Sequence, residues 1–252
     1  IPCPFYPNTA GSTQLMHILP PEFIEGGTAA TIERLKGKAN RDRLRDRIER
    51  GGEGFDNIAG MVGWENIIMS TLNTPANKRF EGMTVQDIAK ARGTDPGDCV
   101  CDMLIEENCA ITMIDFITCE EDIARILNCG FASVISDSIY PASGRPHPRL
   151  YGTYARIIQR FVGERRDMTL EAAVKAMTYT PAKALNIADR GLLREGLCAD
   201  VNVFDPAEVK ERGSYADPDK CAAGMDYVFV NGKPAIAAGE LTGGAFGQVI
   251  RR

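Results

Sequence analysis

The chain has 252 residues, 44% of them hydrophobic and 25% charged, with a formal net charge of −5. Such a composition belongs to a folded globular protein with one sizeable core and room for a small second unit. The negative balance gives no electrostatic reason to bind nucleic acid, and no apolar run approaches the ~20 residues of a membrane helix. Eight cysteines at irregular spacing, several in apolar runs, point to reduced thiols and a cytoplasmic protein rather than a disulfide framework.

The chain starts at Ile1, directly before Pro2-Cys3-Pro4-Phe5-Tyr6-Pro7, which suggests a piece of something longer. Residues 1–13 are rich in turn-formers and hydroxyls and read as a loop after a strand lying mostly upstream. Residues 20–50 read as helix, opened by Pro20-Pro21 and interrupted at Gly26-Gly27. Ile32, Leu35, Leu44 and Ile48 form its thin apolar stripe, and Gly51-Gly52 stops it. The basic run Arg41 to Arg50 is interleaved with acids and reads as a solvated helix face. Residues 59–72, with the lone Trp64, suggest a strand pair.

Thr84 with Asp87 predicts a capped helix ending at Gly93, and a second helix runs from Pro96 to Glu107. Residues 110–116 read as a strand. Thr118-Cys119-Glu120-Glu121 has the pattern of a capping box for the next helix, which ends at Gly130. Residues 132–136 are the following strand. Strand, helix, strand predicts a parallel pair with a right-handed crossover.

Beyond it, Tyr151 to Val162 predicts a helix with Tyr154, Ile157, Ile158 and Phe161 on one side. Thr169 caps another helix, and residues 181–185 form a short third. From about Gly191 the pattern turns to β: an alternating run over 199–206, then Tyr227–Val230 leading into Asn231-Gly232 and a return strand.

Chemistry concentrates where residues 132–136 end. Asp137 follows a buried strand, and parallel α/β enzymes build their sites at the carboxyl ends of strands. An Asp there is also a common turn or cap residue, so position alone leaves both readings open. His147 and Arg149 sit beside prolines that stiffen the loop, which suits an arginine aimed at a carboxylate. A pairing with a surface acid is equally consistent. With only two histidines, His17 and His147, and no ligand-spaced cysteine pair, a complete zinc site within this chain is not expected.

Together, Tyr6-Pro7-x-x-Ala10-Gly11-Ser12-Thr13, Ser136-Asp137 and His147-Pro148-Arg149-x-x-Gly152-Thr153 resemble the N-acyl-D-amino-acid deacylases of the amidohydrolase superfamily, over their C-terminal half. Arg190-Gly191, Ala199-Asp200, Phe204-Asp205-Pro206, Val230-Asn231-Gly232 and Thr242-Gly243 look like that family's closing β-segment. The resemblance implies an α/β fold, the C-terminal part of a (β/α)8 metal-dependent hydrolase barrel with a helical insertion, plus part of a small β-sandwich. Residues 1–190 would belong to the barrel, with the insertion at about 20–108, and residues 191–252 to the sandwich.

It further implies zinc, with most ligands upstream of residue 1 in a missing N-terminal half, and a small N-acyl-D-amino acid as substrate. Asp137 would touch the metal and act as general base and acid. Tyr6, Ser12, Arg149 and His147 would bind substrate. Pro4, Asn8, Ile135 and Ser138 depart from the family pattern, which bears on acyl and side-chain preference. A cyclic-amidase or dihydroorotase-like amidohydrolase, or a non-catalytic module keeping the fold, are the other readings.

Overall fold

The computed structural model describes residues 3–51, 54–140 and 143–250. Its strands are β1 (Cys3–Phe5), β2 (Gly11–Gln14), β3 (Ile67–Thr71), β4 (Thr112–Asp115), β5 (Ala132–Val134), β6 (Val201–Val203), β7 (Tyr227–Val230), β8 (Lys233–Ala237) and β9 (Glu240–Leu241). Its α-helices are α1 (Pro21–Ile24), α2 (Gly27–Lys36), α3 (Lys38–Arg50), α4 (Ile58–Val62), α5 (Val85–Arg92), α6 (Pro96–Glu106), α7 (Glu120–Leu127), α8 (Arg149–Arg156), α9 (Leu170–Met177) and α10 (Tyr179–Ala184). The chain forms two compact units. One comprises Ile1–Asn8, Cys119–Ser138 and Pro148–Arg252; the other comprises Thr9–Thr118 and Ile139–His147.

In the second of these units, β2, β4 and β3 make an antiparallel sheet with β4 in the centre. Helices α2, α3, α5 and α6 enclose a core of Leu35, Leu44, Ile88, Val100, Met103 and Leu104, continuous with Met69 and Met113 of the sheet. The expected cap of α5 is present: Thr84 Oγ1 accepts from the Asp87 N–H at 3.1 Å, and Gly93 closes the helix in the left-handed conformation. Gly37 divides the long predicted helix into α2 and α3; Gly51 follows α3, while Gly52 lies outside the described residues. The strand pair expected over 59–72 is instead α4, a 3-10 turn at Trp64–Asn66, and β3. Asn57 caps α4, its Oδ1 accepting from the Gly60 N–H at 3.0 Å, and Gly63 at φ 80° redirects the chain.

In the other unit, β1 and β5 pair in parallel, Pro4 opposite Ser133. This corrects two expectations. The opening segment holds strands rather than only a loop, and β4 and β5 lie in different sheets, so helix α7 does not join a parallel pair. A short apolar run such as 110–116 is compatible with either sheet type, because burial on both faces removes the alternation that would reveal its neighbours.

Helix α7 begins after Cys119 without a side-chain cap. Thr118 instead donates its backbone N–H to the Thr9 carbonyl at 3.1 Å, within the other unit. Glu120, Glu121 and Asp122 compensate, as acids in the first turn complement the helix dipole. Thr169 does cap α9, its Oγ1 accepting from the Ala172 N–H at 3.2 Å. The core here joins Ile123, Val134, Ile157, Phe161 and Ala173.

Helix α8 continues as a π-helical segment, Ile157–Glu164. Its inward face carries Gly152, Thr153 and Ala155, whereas Tyr154, expected in the core stripe, is 49% exposed. Small residues, not the aromatic one, meet the interior at this turn.

The tail forms a four-stranded antiparallel sheet, β6-β7-β8-β9. Asn231 and Gly232, at φ 51° and 77°, make the expected tight hairpin turn. Asp200 accepts from the Asn231 N–H at 2.8 Å and pairs with Arg190, whose guanidinium also reaches Asn231 Oδ1. Arg190, Asp200 and Asn231 are thus tied to one another, while Phe204 packs against Ala155, Ile158 and Val209. No helix among the described residues is long and apolar enough to cross a membrane.

Candidate functional site

Pairing of β1 with β5 continues past the strand ends, since the Ile135 N–H donates to the Phe5 carbonyl at 2.9 Å. Tyr6 therefore leaves β1 beside the point where the chain runs from β5 toward Asp137. Asp137 adopts φ 48°, a left-handed conformation that Asp tolerates better than most residues. Its side chain is 54% exposed.

Arg149 comes to this point from α8. Its Nη2 lies 3.0 Å from Asp137 Oδ2, and its side chain is 2% exposed. The guanidinium also lies over the Tyr6 ring, 4.5 Å from the centroid, in a cation–π contact. Tyr6 in turn stacks on Phe5 at 5.9 Å. The Arg149 carbonyl accepts from Ser138 Oγ at 3.1 Å and Thr153 Oγ1 at 2.7 Å, which fixes the first turn of α8. Three segments distant in sequence thus meet in one unit as Asp137, Arg149 and Tyr6.

Ser12 and His147 belong to the other unit. Ser12 lies on β2 opposite Ile114, next to Gly11, which faces Asp115. A Cβ at Gly11 would fall 2.9 Å from Asp115 Oδ1, so glycine is what lets this buried carboxylate lie against β2. His147 is buried, and its Nε2 donates to the Ala10 carbonyl at 2.9 Å.

Sequence reasoning passed over a charged cluster around α7 and α8. Glu120 accepts from Arg156, Arg160 and Arg165 at 2.9, 2.7 and 3.2 Å. The Arg160 hydrogen bond is the largest of the influences that hold its carboxyl below the usual carboxylate range. Arg156 also reaches Glu211 at 3.0 Å, where burial pushes the Glu211 carboxyl upward against the pull of Arg156. The spacing of Arg156, Arg160 and Glu164 along one helical face was the available signal.

No three His, Cys, Asp or Glu side chains among the described residues lie together as a metal ion would require. Asp137 offers one carboxylate, already shared with Arg149. The described residues therefore do not make a zinc centre by themselves.

A parallel strand pair that brings a tyrosine and a half-exposed acid beside a buried arginine of the following helix is the kind of rim on which α/β hydrolases work. The amidohydrolase family profile matches residues 116–236, which contain Asp137 and Arg149. Residues 116–236 thus carry an amidohydrolase-like domain, and the chain is similar to that family.

Within that family its likeness is to enzymes of N-acyl-D-amino acids. It is 35% identical to a D-aminoacylase of Alcaligenes xylosoxydans xylosoxydans over 173 residues, 69% of this chain and 34% of that protein. It is 41% identical to an N-acyl-D-glutamate deacylase of the same organism over 124 residues, 49% of this chain and 25% of that protein. Among solved structures, a D-aminoacylase with a binuclear metal centre superposes with a TM-score of 0.73 at 27% identity, covering 100% of this chain and 43% of the other. The N-acyl-D-glutamate deacylase of Bordetella bronchiseptica, in complex with zinc and a phosphonate mimic of the tetrahedral intermediate, gives 0.72 at 29% identity, covering 99% and 42%. The chain spans from a quarter to about a third of the length of these curated relatives.

Proposed function

We propose that this chain contributes part of the active site of a zinc-dependent amidohydrolase that cleaves the amide of N-acyl-D-amino acids. The observation that carries the reading is the convergence of Asp137, Arg149 and Tyr6. Asp137 is the general base and acid. Its half-exposed carboxylate takes a proton from the attacking water and returns it to the departing amine nitrogen. It is also the chain's one contribution to the metal's surroundings. Zinc, when bound, polarises the scissile carbonyl and makes water a better nucleophile; its other ligands come from a preceding half of the protein, and the 252 residues alone are inactive.

Arg149, buried against Tyr6, holds the substrate's carboxylate, with Tyr6 as a hydrogen-bond donor to the same group. Ser12 and His147 are further substrate-binding candidates by their segments' resemblance, and His147 holds the Ala10 carbonyl within its own unit. In this reading residues 1–190 are part of a (β/α)8 barrel carrying a helical insertion at about 20–108, residues 191–252 are part of a β-sandwich, and the enzyme works in the cytoplasm. Support comes from the family match and from relatives that act on N-acyl-D-amino acids.

The test replaces Asp137 by Ala in a zinc-loaded protein that includes the preceding half. Turnover of N-acetyl-D-amino acids is expected to fall by about 10²–10⁴-fold as the proton carrier is lost. Near-normal turnover overturns the assignment. Efficient hydrolysis of hydantoins with no action on linear N-acetyl-D-amino acids would place the chain with the cyclic amidases instead.

A further inference from the structure

The motif that begins at His147 continues to Gly152 and Thr153, and neither of these is explained by contact with a substrate. Thr153 ties back to the Arg149 carbonyl. Gly152 has a different partner: a Cβ there would lie 2.8 Å from Cγ and 2.9 Å from Oε1 of Glu211. Glycine at 152 therefore admits Glu211, from the segment between β6 and β7, onto the surface of α8. One turn further along that helix stands Arg156.

Arg156 directs each arm of its guanidinium to a different segment. Nε donates to the Pro7 carbonyl at 2.7 Å, Nη1 to Glu211 at 3.0 Å, and Nη2 to Glu120 of α7 at 2.9 Å. Glu211 is held in turn by its backbone N–H, which donates to Gln159 Oε1 at 2.8 Å in the π-helical segment. The contact with Pro7 matters most. Pro7 follows Tyr6, whose ring lies 4.5 Å under the Arg149 guanidinium. The Arg156 side chain is 20% exposed, and its bonds to Glu211 and Glu120 are charge-assisted, the stronger kind of hydrogen bond. A fork with three anchors is stiff in a way that one lysine bond would not be. Helix α8 becomes π-helical immediately after Arg156, a distortion that recurs at functional sites.

We infer that Arg156 is a positioning residue that holds the Tyr6-Pro7 arm beneath Arg149, and that Glu211, admitted by Gly152, sets the place from which it acts. Its bearing on catalysis rests on the deacylase reading above. The positioning itself does not.

The test is spectroscopic. A guanidinium stacked on a tyrosine ring has its side-chain protons displaced upfield by the ring current, so the Arg149 resonances of the 252-residue chain report whether Tyr6 lies beneath them. Arg156→Met is expected to remove more than half of that displacement while methyl resonances of Ile123 and Ile157 remain in place. Arg156→Lys, which can still donate to the Pro7 carbonyl, is expected to restore part of it. Glu211→Gln, close in shape and neutral, is expected to give a smaller loss, and it decides the matter if Arg156→Met fails to fold. Unchanged Arg149 resonances in folded Arg156→Met, or in Glu211→Gln where the first does not fold, overturn the inference.

In the zinc-loaded enzyme, Arg156→Met is expected to raise KM about tenfold with kcat within twofold, the pattern of lost uniform binding. Equal losses in kcat and kcat/KM overturn the positioning role. A wild-type enzyme inert toward N-acyl-D-amino acids removes the deacylase reading but leaves the resonance test decisive.

Discussion

Arg149 stands at the first residue of α8, where the helix dipole disfavours a cation, and it reaches Asp137 at 3.0 Å. The acid supplies the negative charge that this helix start would otherwise obtain from a capping side chain. Asp137→Ala is accordingly expected to lower stability by about 1 kcal/mol, a figure reduced from that of a buried charged bond because the carboxylate is half exposed. Asp137→Asn keeps an acceptor for Nη2 and is expected to lose less. Urea denaturation of the two variants checks the order. Equal midpoints for Asp137→Ala and the parent would show that the pair does not support the helix.

A second carboxylate is enclosed by hydrogen-bond donors. Glu107 is 3% exposed at the end of α6 and accepts from the Asn73 and Thr74 N–H groups at 2.6 and 3.1 Å, from Asn77 Nδ2 at 2.8 Å, and from the Thr74 hydroxyl. Burial is the largest influence on its carboxyl and acts upward. The hydrogen bonds from Thr74, Asn77 and Asn73 together outweigh it, and the net shift is downward. A carboxyl that is more acidic folded than unfolded adds stability above the ordinary carboxylate value. That stability is lost as pH falls through the lowered value. Glu107→Gln is expected to flatten the acid limb of a stability-versus-pH curve. Glu107→Ala, which strands several donors, is expected to cost about 3 kcal/mol. An acid limb as steep in Glu107→Gln as in the parent would assign the pH dependence to other acids.

The legible parts of this protein were those written in short range. Thr84, Thr169 and Asn231-Gly232 act on neighbours within a few residues, and each does what its spacing implied. Asp137, Arg149 and Tyr6 could be named because their segments resemble those of a known family, yet nothing local revealed that the Arg149 guanidinium lies on the Tyr6 ring. Strand partners were not legible: β1 and β5 are separated in sequence by the Thr9–Thr118 part of the other unit and by α7, and a three-residue strand carries too little pattern to select its neighbour. Arg156 was missed for the same reason. Its bond to the Pro7 carbonyl spans 149 positions.

Gly144 tests how the segment before Arg149 is held. At φ 96°, it lets Ser143 and Arg145 lie along β3, where Arg145 N–H donates to the Ser70 carbonyl at 2.9 Å and Ser70 Oγ donates back to the Arg145 carbonyl at 2.6 Å. A Cβ at 144 would fall 2.7 Å from the Ser70 carbonyl oxygen and 2.9 Å from Thr71 Cα, both backbone atoms that cannot turn aside. Gly144→Ala combines that clash with an unfavourable φ and is expected to cost about 2 kcal/mol. Amide exchange at Arg145 should accelerate with it. Retained protection at Arg145 in the variant would mean that the segment is held elsewhere.

Six of the eight cysteines fall into a buried and an exposed set, with Cys3 and Cys198 intermediate. Cys99 and Cys101 are buried in α6, and burial pushes their thiols up to about 11 and about 12. Burial likewise raises Cys109. Cys119, Cys129 and Cys221 are exposed. Because the thiolate is the reacting species, a buried thiol raised this far is protected twice, by access and by ionisation. Treatment of the native protein with an aromatic disulfide at pH 8 is expected to modify the exposed three rapidly. Cys99, Cys101 and Cys109 should react only at the rate at which the helical unit opens, with all eight available after denaturation. Mass mapping of the labelled peptides identifies each site. Rapid modification of Cys101 in the native protein would show that α6 opens far more readily than its packing against α2, α3 and α5 implies.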